Sequence, residues 1–379
     1  MPMSTVVIIG ASYGGLQVAQ GLLKALPDKV KVVLINTSDK FYFNIAAPRI
    51  VAKPDAFKPE QYLIPIAPGF AKYPKGSFEF IKGSASSIDP DSKTVTISSE
   101  SQASVSYDYL VIASGSSTSS FFNGTRIPFK AMGDDTLSAI QAAQETISKA
   151  RTAVIAGAGP IGVETAGELA EAWATRTGTS ITLVSATWQI LPVLKQSAGE
   201  AAESMLEKAN VKVIKSRKVE KAEQLASDNG KWTVTLDNGE QLKADVYISS
   251  TGVTPNNSFI PAKFLSSAGW VNVDEHFRVL GSSQQPIYAI GDITTHPMRT
   301  SLKLQEQVPV VLANLKSDIT KKSQYSSYKP NQSVMMLVPV GSSTGTGQMM
   351  GMKPWGILVS MFKGRDFFVS KAAQMVGLA

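Results

Sequence analysis

Two glycine-rich turns are the residues best suited to chemistry. Residues 157–162 read Gly157-Ala158-Gly159-Pro160-Ile161-Gly162 and follow the apolar run 152–156. In a strand–turn–helix unit the first glycine makes the tight turn. The second lets backbone approach a pyrophosphate, and the third lets helix and strand pack closely. The phosphates then sit on the helix N-terminus, where unpaired N–H groups point outward. Gly157, Gly159 and Gly162 meet all three needs. A second turn, GASYGG at 10–15, follows Val6-Val7-Ile8-Ile9. Gly10, Gly14 and Gly15 are present, but Ser12 stands where the second glycine is expected. Serine is the least costly replacement there, and its hydroxyl has the reach to meet a phosphate oxygen. An ordinary glycine loop is the alternative for either turn.

The strand after each turn normally ends in an acid that hydrogen-bonds the ribose. Here the ends are Asn36 and Ser185. A neutral hydrogen bond contributes about 0.5–1.5 kcal/mol against roughly 1.5–3 for a charged one. Both residues are therefore expected to anchor ribose more weakly. Ser185 has no carboxylate to repel a 2′-phosphate, and 185–190 has no arginine or lysine to favour one. Little discrimination between NADH and NADPH is expected.

These turns need strands and helices to hold them. Residues 5–9, a helix over 16–26 and a strand over 30–35 make one βαβ unit. Residues 152–156, 163–175 and 180–184 repeat it. Extended segments follow at 93–98 and 107–113, and again at 232–236 and 244–250, the second pair joined by Asp237-Asn238-Gly239, a strong hairpin signal. Residues 286–290 form a further strand, and the tail has extended runs at 323–327 and 334–340. The fold class is α/β: two Rossmann-like dinucleotide-binding domains and a small C-terminal α+β domain. The expected division is 1–127 with 253–325, then 128–252, then 326–379.

Composition narrows the chemistry. The chain has 379 residues and no cysteine, which excludes disulfides, thiolate metal sites and a redox cysteine pair. Only two histidines, His276 and His296, are present; both read as structural, and no metal site is expected. Net charge is +7, but no block of like charges or basic stripe marks a nucleic-acid surface. The first strand begins by about residue 5, leaving no room for a signal peptide. Pro2 replaces the glycine that myristoylation requires. No apolar run reaches the roughly 18 residues of a membrane span. A cytoplasmic chain with at most peripheral membrane contact is expected.

Three further stretches extend the pattern: Tyr107-Asp108-Tyr109-Leu110-Val111-Ile112-Ala113-Ser114-Gly115, then 244–256 with Thr251-Gly252, and Ile287-Tyr288-Ala289-Ile290-Gly291-Asp292. In type and order these resemble the two-dinucleotide-binding flavoproteins over residues 5–292. The segments FYFNIAAPR at 41–49, Tyr328-Lys329-Pro330 and KGRDFFVS at 363–370 are similar to the apoptosis-inducing-factor-like branch that includes ferroptosis-suppressor NAD(P)H:quinone oxidoreductases. The resemblance implies FAD on the first turn with Arg49, Gly115, Gly291 and Asp292, and NAD(P)H on the second with Gly252 close by. Ala85 joins the cofactor-binding set. It also implies Glu164 and Lys363 near the isoalloxazine, and a quinone as electron acceptor.

Plainer readings stand beside these. Glu164 could simply complement its helix end, Lys363 could be a solvated surface lysine, and Arg49 could pair with Asp39 or Asp55. Trp355, Phe362, Phe367 and Phe368 read as core more than as a quinone channel. Two other functions stay open: a death-linked redox sensor that binds NADH and turns over slowly, and a biosynthetic flavoenzyme acting on a specialised metabolite.

Overall fold

A computed structural model describes residues 3–118, 127–224, 230–282, 286–331 and 333–378. Its centre is a five-stranded parallel sheet, in spatial order Ile287–Ala289, Tyr109–Ile112, Ser4–Ile9, Val30–Asn36 and Phe78–Lys82. Most residues of the three middle strands are apolar and buried, as expected of a parallel sheet covered on both faces. The same plan recurs as Val211–Ile214, Ser180–Val184, Thr152–Ala156 and Val246–Ser249. In each sheet the strand that feeds a glycine turn lies between the strand after its helix and a later strand from the same half. Ser116–Thr118 pairs antiparallel with Val253–Pro255, so the chain leaves and re-enters the first half through one ribbon.

The Asp237-Asn238-Gly239 turn does close a hairpin, but its second strand differs from the expectation. Gln241–Ala244 pairs with Trp232–Leu236, and Val246–Ser249 then leaves for the parallel sheet. Asp245 is the break point: it accepts from the N–H groups of Arg151 and Thr152 and swings the chain between sheets. Residues 323–327 are not a strand. Before them lies the helix Ser301–Thr320, with Pro309 inside it, to which the sequence reading assigns no element. Thr300 caps this helix by accepting from the Lys303 N–H. No helix among the described residues is long and apolar enough to cross a membrane.

The tail folds back over the second half. Its hairpin, Met336–Val340 with Thr344–Gln348, packs on the helix Pro160–Ala172. Backbone meets backbone closely at Gly167, where an added Cβ would lie 2.7 Å from the Gly341 nitrogen and 2.8 Å from the Val340 Cα. The aromatic residues of the tail divide: Phe367 is fully buried, while Trp355 and Phe362 are 77% and 57% exposed and so are not core. Pro2 lies outside the described residues.

Gly167→Ala should gain about 1 kcal/mol in helix propensity yet lose roughly 1–3 kcal/mol by overpacking against backbone that cannot yield. A lower melting temperature than wild type is expected, measured by thermal denaturation. An equal or higher one would show that the tail does not seat on this helix.

Candidate active site

The two turns share their first and last glycines. Gly10 (φ +104°) and Gly157 (φ +95°) are left-handed, and a Cβ on either would meet the backbone of Ala113 or Ser250 within 3 Å. A Cβ on Gly15 or Gly162 would lie 1.8 Å from the carbonyl oxygen of Gly10 or Gly157. These four glycines are demanded by the chain's own packing. Gly159 is different. Its φ is −74°, and nothing lies within 4 Å of where a Cβ would be. Its absent side chain leaves room for a partner that is not protein, which fits a nucleotide pyrophosphate on this turn. Ser12 holds the same place in the first turn, exposed and with no side-chain capping bond. Gly14 takes no such role; its Cβ would meet Leu304 at 3.3 Å. Gly115 and Gly252 are both left-handed with open space where a Cβ would go.

The strand-end residues behave differently from expectation. Asn36 Oδ1 accepts from the Ala11 N–H at 2.9 Å, and its Nδ2 donates to the Ser38 carbonyl; the side chain braces the turn. Ser185 is buried, and its hydroxyl is used inside its own loop, by Thr187 and Gln189. It is therefore not placed as a ribose ligand. The Arg217 backbone N–H donates to the Ser185 carbonyl at 3.0 Å, while its guanidinium donates to the Ser216 carbonyl. Ala85 is buried among apolar side chains, so only its backbone can face a cofactor.

Asp292 Oδ2 accepts from Ser116 Oγ at 2.9 Å and from Lys130 Nζ at 2.8 Å. Arg299 donates to the Asp292 carbonyl and lies over the Trp270 ring at 3.6 Å. Lys130 and Arg299 belong to no recognisable motif, and sequence reasoning missed both.

The two candidate catalytic residues, 199 positions apart, meet. Lys363 Nζ donates to Glu164 Oε1 at 2.6 Å and to the Leu337 carbonyl at 3.2 Å. Both side chains are largely buried, so neither the solvated-lysine nor the helix-end reading holds. Burial pushes the Glu164 carboxyl above the usual carboxylate range; the Lys363 ammonium pulls it partly back. Arg49 is a correction. Its partner is neither Asp39 nor Asp55: Nε and Nη2 bind Glu168 at 2.9 and 2.7 Å, and Nη1 donates to the Arg365 carbonyl. With all three nitrogens engaged by protein, it is not directed at a pyrophosphate. Fork geometry explains the choice, because a guanidinium matches a carboxylate with two parallel bonds. Glu168 also pairs with Lys53. Arg49 and Lys363 both lie over the Phe367 ring, at 4.8 and 5.5 Å. Phe367 and Phe368 are left-handed (φ 51° and 63°), which costs about 1–2 kcal/mol per residue. Asp366 offsets this by accepting from the Phe368 and Ser370 N–H groups.

Comparison with known proteins then decides the family. Residues 4–307 match the pyridine nucleotide-disulphide oxidoreductase model. The chain belongs to that family. It is 35% identical over 381 residues to oxidoreductase ptaL of Pestalotiopsis fici, covering 99% of each chain. It is 28% identical over 387 residues to human ferroptosis suppressor protein 1, covering 96% of this chain and 94% of that one. The fold matches that of the sulfide:quinone oxidoreductase of Aquifex aeolicus with a TM-score of 0.79, at 21% identity and covering 98% and 92% of the two chains. The protein is thus an NAD(P)H-dependent flavin oxidoreductase, with FAD and NAD(P)H as its cofactors.

Gly159→Ala adds a methyl group to open space. Melting without ligand should stay within about 0.5 kcal/mol of wild type, while NAD(P)H affinity, read by titration, should fall about tenfold or more. Unchanged affinity would remove Gly159 from the nucleotide site.

Lys363→Met would strand the Glu164 carboxylate, at a cost of about 3–5 kcal/mol near neutral pH. Because the folded-state pKa of Glu164 is raised, its protonation stabilises the fold below the ordinary carboxylate pKa, and that stability is lost as pH rises through the folded value. Losing Lys363 raises the folded value further. The deficit of the variant in urea melts should therefore shrink between about pH 7 and about pH 5. A deficit that stays constant or grows on acidification would contradict the ion pair.

Proposed function

We propose that this chain passes two electrons from NAD(P)H directly to a quinone-type acceptor. The observation that carries this reading is the absence of cysteine in a member of a family named for disulphide chemistry. With no thiol relay, the acceptor must meet the flavin itself. The proposed FAD set is Gly10, Ser12, Gly14, Gly15, Gly115, Gly291 and Asp292, in a domain of residues 1–127 and 253–325. NAD(P)H is assigned to Gly157, Gly159, Gly162 and Gly252, in or beside residues 128–252. Residues 326–379 form the third part.

When bound, FAD supplies the redox step, taking a hydride from NAD(P)H and handing two electrons on. The chain's residues provide the rest. N–H groups at the start of the helices Tyr13–Ala25 and Pro160–Ala172 would hold the phosphates. Quinone reduction places negative charge on oxygen and takes up protons, one of which comes from outside the nucleotide. Lys363 offers a fixed cation in a largely dry setting, where it stabilises such charge far better than in water. Glu164, with its raised affinity for a proton, is suited to hold one at Oε1 or Oε2 for the acceptor. The greater identity to oxidoreductase ptaL than to ferroptosis suppressor protein 1 favours a second reading, in which the acceptor is a specialised metabolite.

The test is anaerobic mixing. NADH should bleach the flavin of purified protein, and an added quinone should restore its absorbance. A flavin that stays reduced with excess quinone would refute the quinone reading and favour the metabolite. In Lys363→Met, with flavin bound and folding verified, quinone turnover should drop at least about tenfold. Wild-type turnover would remove Lys363 from the catalytic list.

A further inference from the structure

The second half presents the carboxyl ends of adjacent parallel strands to one side, and one side chain there stands out from the fold. Thr152–Ala156 feeds the glycine turn, with Ser180–Val184 beside it and Val211–Ile214 beyond. Neighbouring strands lie about 4.8 Å apart. A dinucleotide whose pyrophosphate sits on the turn would therefore carry its adenosine over the next strand end, residues 185–190, in the crevice outside the strands. Ser185, the expected ribose ligand, is buried and spends its hydroxyl on Thr187 and Gln189. What the strand end offers outward is Ala186, Thr187 and Trp188. Trp188 is 62% exposed.

A single exposed apolar residue means little alone. Two observations give this one a meaning. First, its backbone is held on both sides. The Ser216 N–H donates to the Thr187 carbonyl at 3.0 Å, and Thr187 Oγ1 donates to the Gln189 carbonyl at 2.7 Å. Two residues further on, the Leu191 N–H donates to the Ala158 carbonyl at 2.8 Å, which ties the loop to the glycine turn itself. The ring thus stands on a fixed ledge between the turn and the Ser216 strand end. Second, the fold does not require it. The sister unit continues its strand end as Asn36-Thr37-Ser38-Asp39, with no aromatic residue. Adenine is the flat, weakly polar part of the nucleotide, and a base stacked on an aromatic ring gains affinity without any ribose carboxylate.

We propose that Trp188 stacks on the adenine of NAD(P)H and is the principal anchor of its adenosine half. This rests on the assignment of NAD(P)H to the second turn. It also supplies a cause for the weak discrimination expected between NADH and NADPH, because a ring that grips the base is indifferent to the 2′ substituent.

Titration of the holoenzyme with ADP-ribose, which lacks nicotinamide, tests the proposal. ADP-ribose should quench the tryptophan emission of the wild type. Trp188→Phe should bind within about threefold of wild type by calorimetry, since it keeps a ring, but should lose most of the quench. Trp188→Leu, apolar without a ring, should bind at least about tenfold more weakly, and 2′-phospho-ADP-ribose should lose affinity by the same factor. Turnover gives a second reading. The advantage of NADH over reduced nicotinamide mononucleotide, which lacks adenosine, should shrink at least about tenfold in kcat/KM in Trp188→Leu. A merely structural role would depress both donors alike and leave that ratio unchanged. Gly159→Ala is run in parallel. If it weakens ADP-ribose binding while Trp188→Leu does not, the turn holds the nucleotide and the role of Trp188 is overturned. If neither variant weakens it, the assignment of NAD(P)H to the second turn falls as well. A quench of wild-type size in Trp188→Phe also overturns the proposal, because another of the five tryptophans would then be the reporter.

Discussion

One helix face binds the parts of this molecule together by charge. Glu164, Glu168 and Glu171 lie on the helix Pro160–Ala172, spaced by four and three residues, so they share a side. Glu164 takes Lys363 from the tail, Glu168 takes Arg49 and Lys53 from the first half, and Glu171 takes Lys53 and the Ser342 hydroxyl. Burying a carboxylate without a partner is expensive, and two of these three, Glu164 and Glu168, are buried, while Glu171 is exposed. The helix can therefore occupy this position only when the first half and the tail both arrive. Cations drawn from far along the chain thus specify how the parts are assembled.

That assembly has a chemical consequence. Glu164 sits four residues beyond the first residue of the helix that follows the second glycine turn, so the ladder begins within the first turns of that helix. Lys363 reaches it from a π turn, whose extra residue per turn departs from ordinary helical spacing. Behind the pair, Phe367 serves as a common surface for Lys363 and Arg49, and Asp366 accepts from the N–H of the next residue, Phe368. The same short tail carries a buried lysine inside and leaves Trp355 and Phe362 outside.

Much of the architecture was legible in the residues. The glycine turns, the parallel strands and the repeat of the unit follow from patterns within about 30 residues, where turn geometry and hydrophobic spacing dominate. Gly10, Gly15, Gly157 and Gly162 were identifiable because steric demand on a turn is local. The long helix over 301–320 was not, because Pro309 is locally a breaker and tertiary packing overrides it. The hairpin at Asp237-Asn238-Gly239 was foreseen, but not the transfer between sheets at Asp245, which depends on a strand 90 residues earlier.

By itself, then, the sequence determined the two turns and the absence of any thiol chemistry. Tertiary structure decided which of those residues meet. It took Arg49 from an expected phosphate and gave it to Glu168, turned Ser185 into its own loop, and joined Glu164 to Lys363 across 199 residues. It also left Trp355 and Phe362 facing outward, where composition alone would have buried them. The physical reason is the range of the forces. Glycine sterics and strand periodicity act between chain neighbours and can be read in order. A buried charge selects whatever partner folding brings within about 3 Å, and sequence distance says nothing about that.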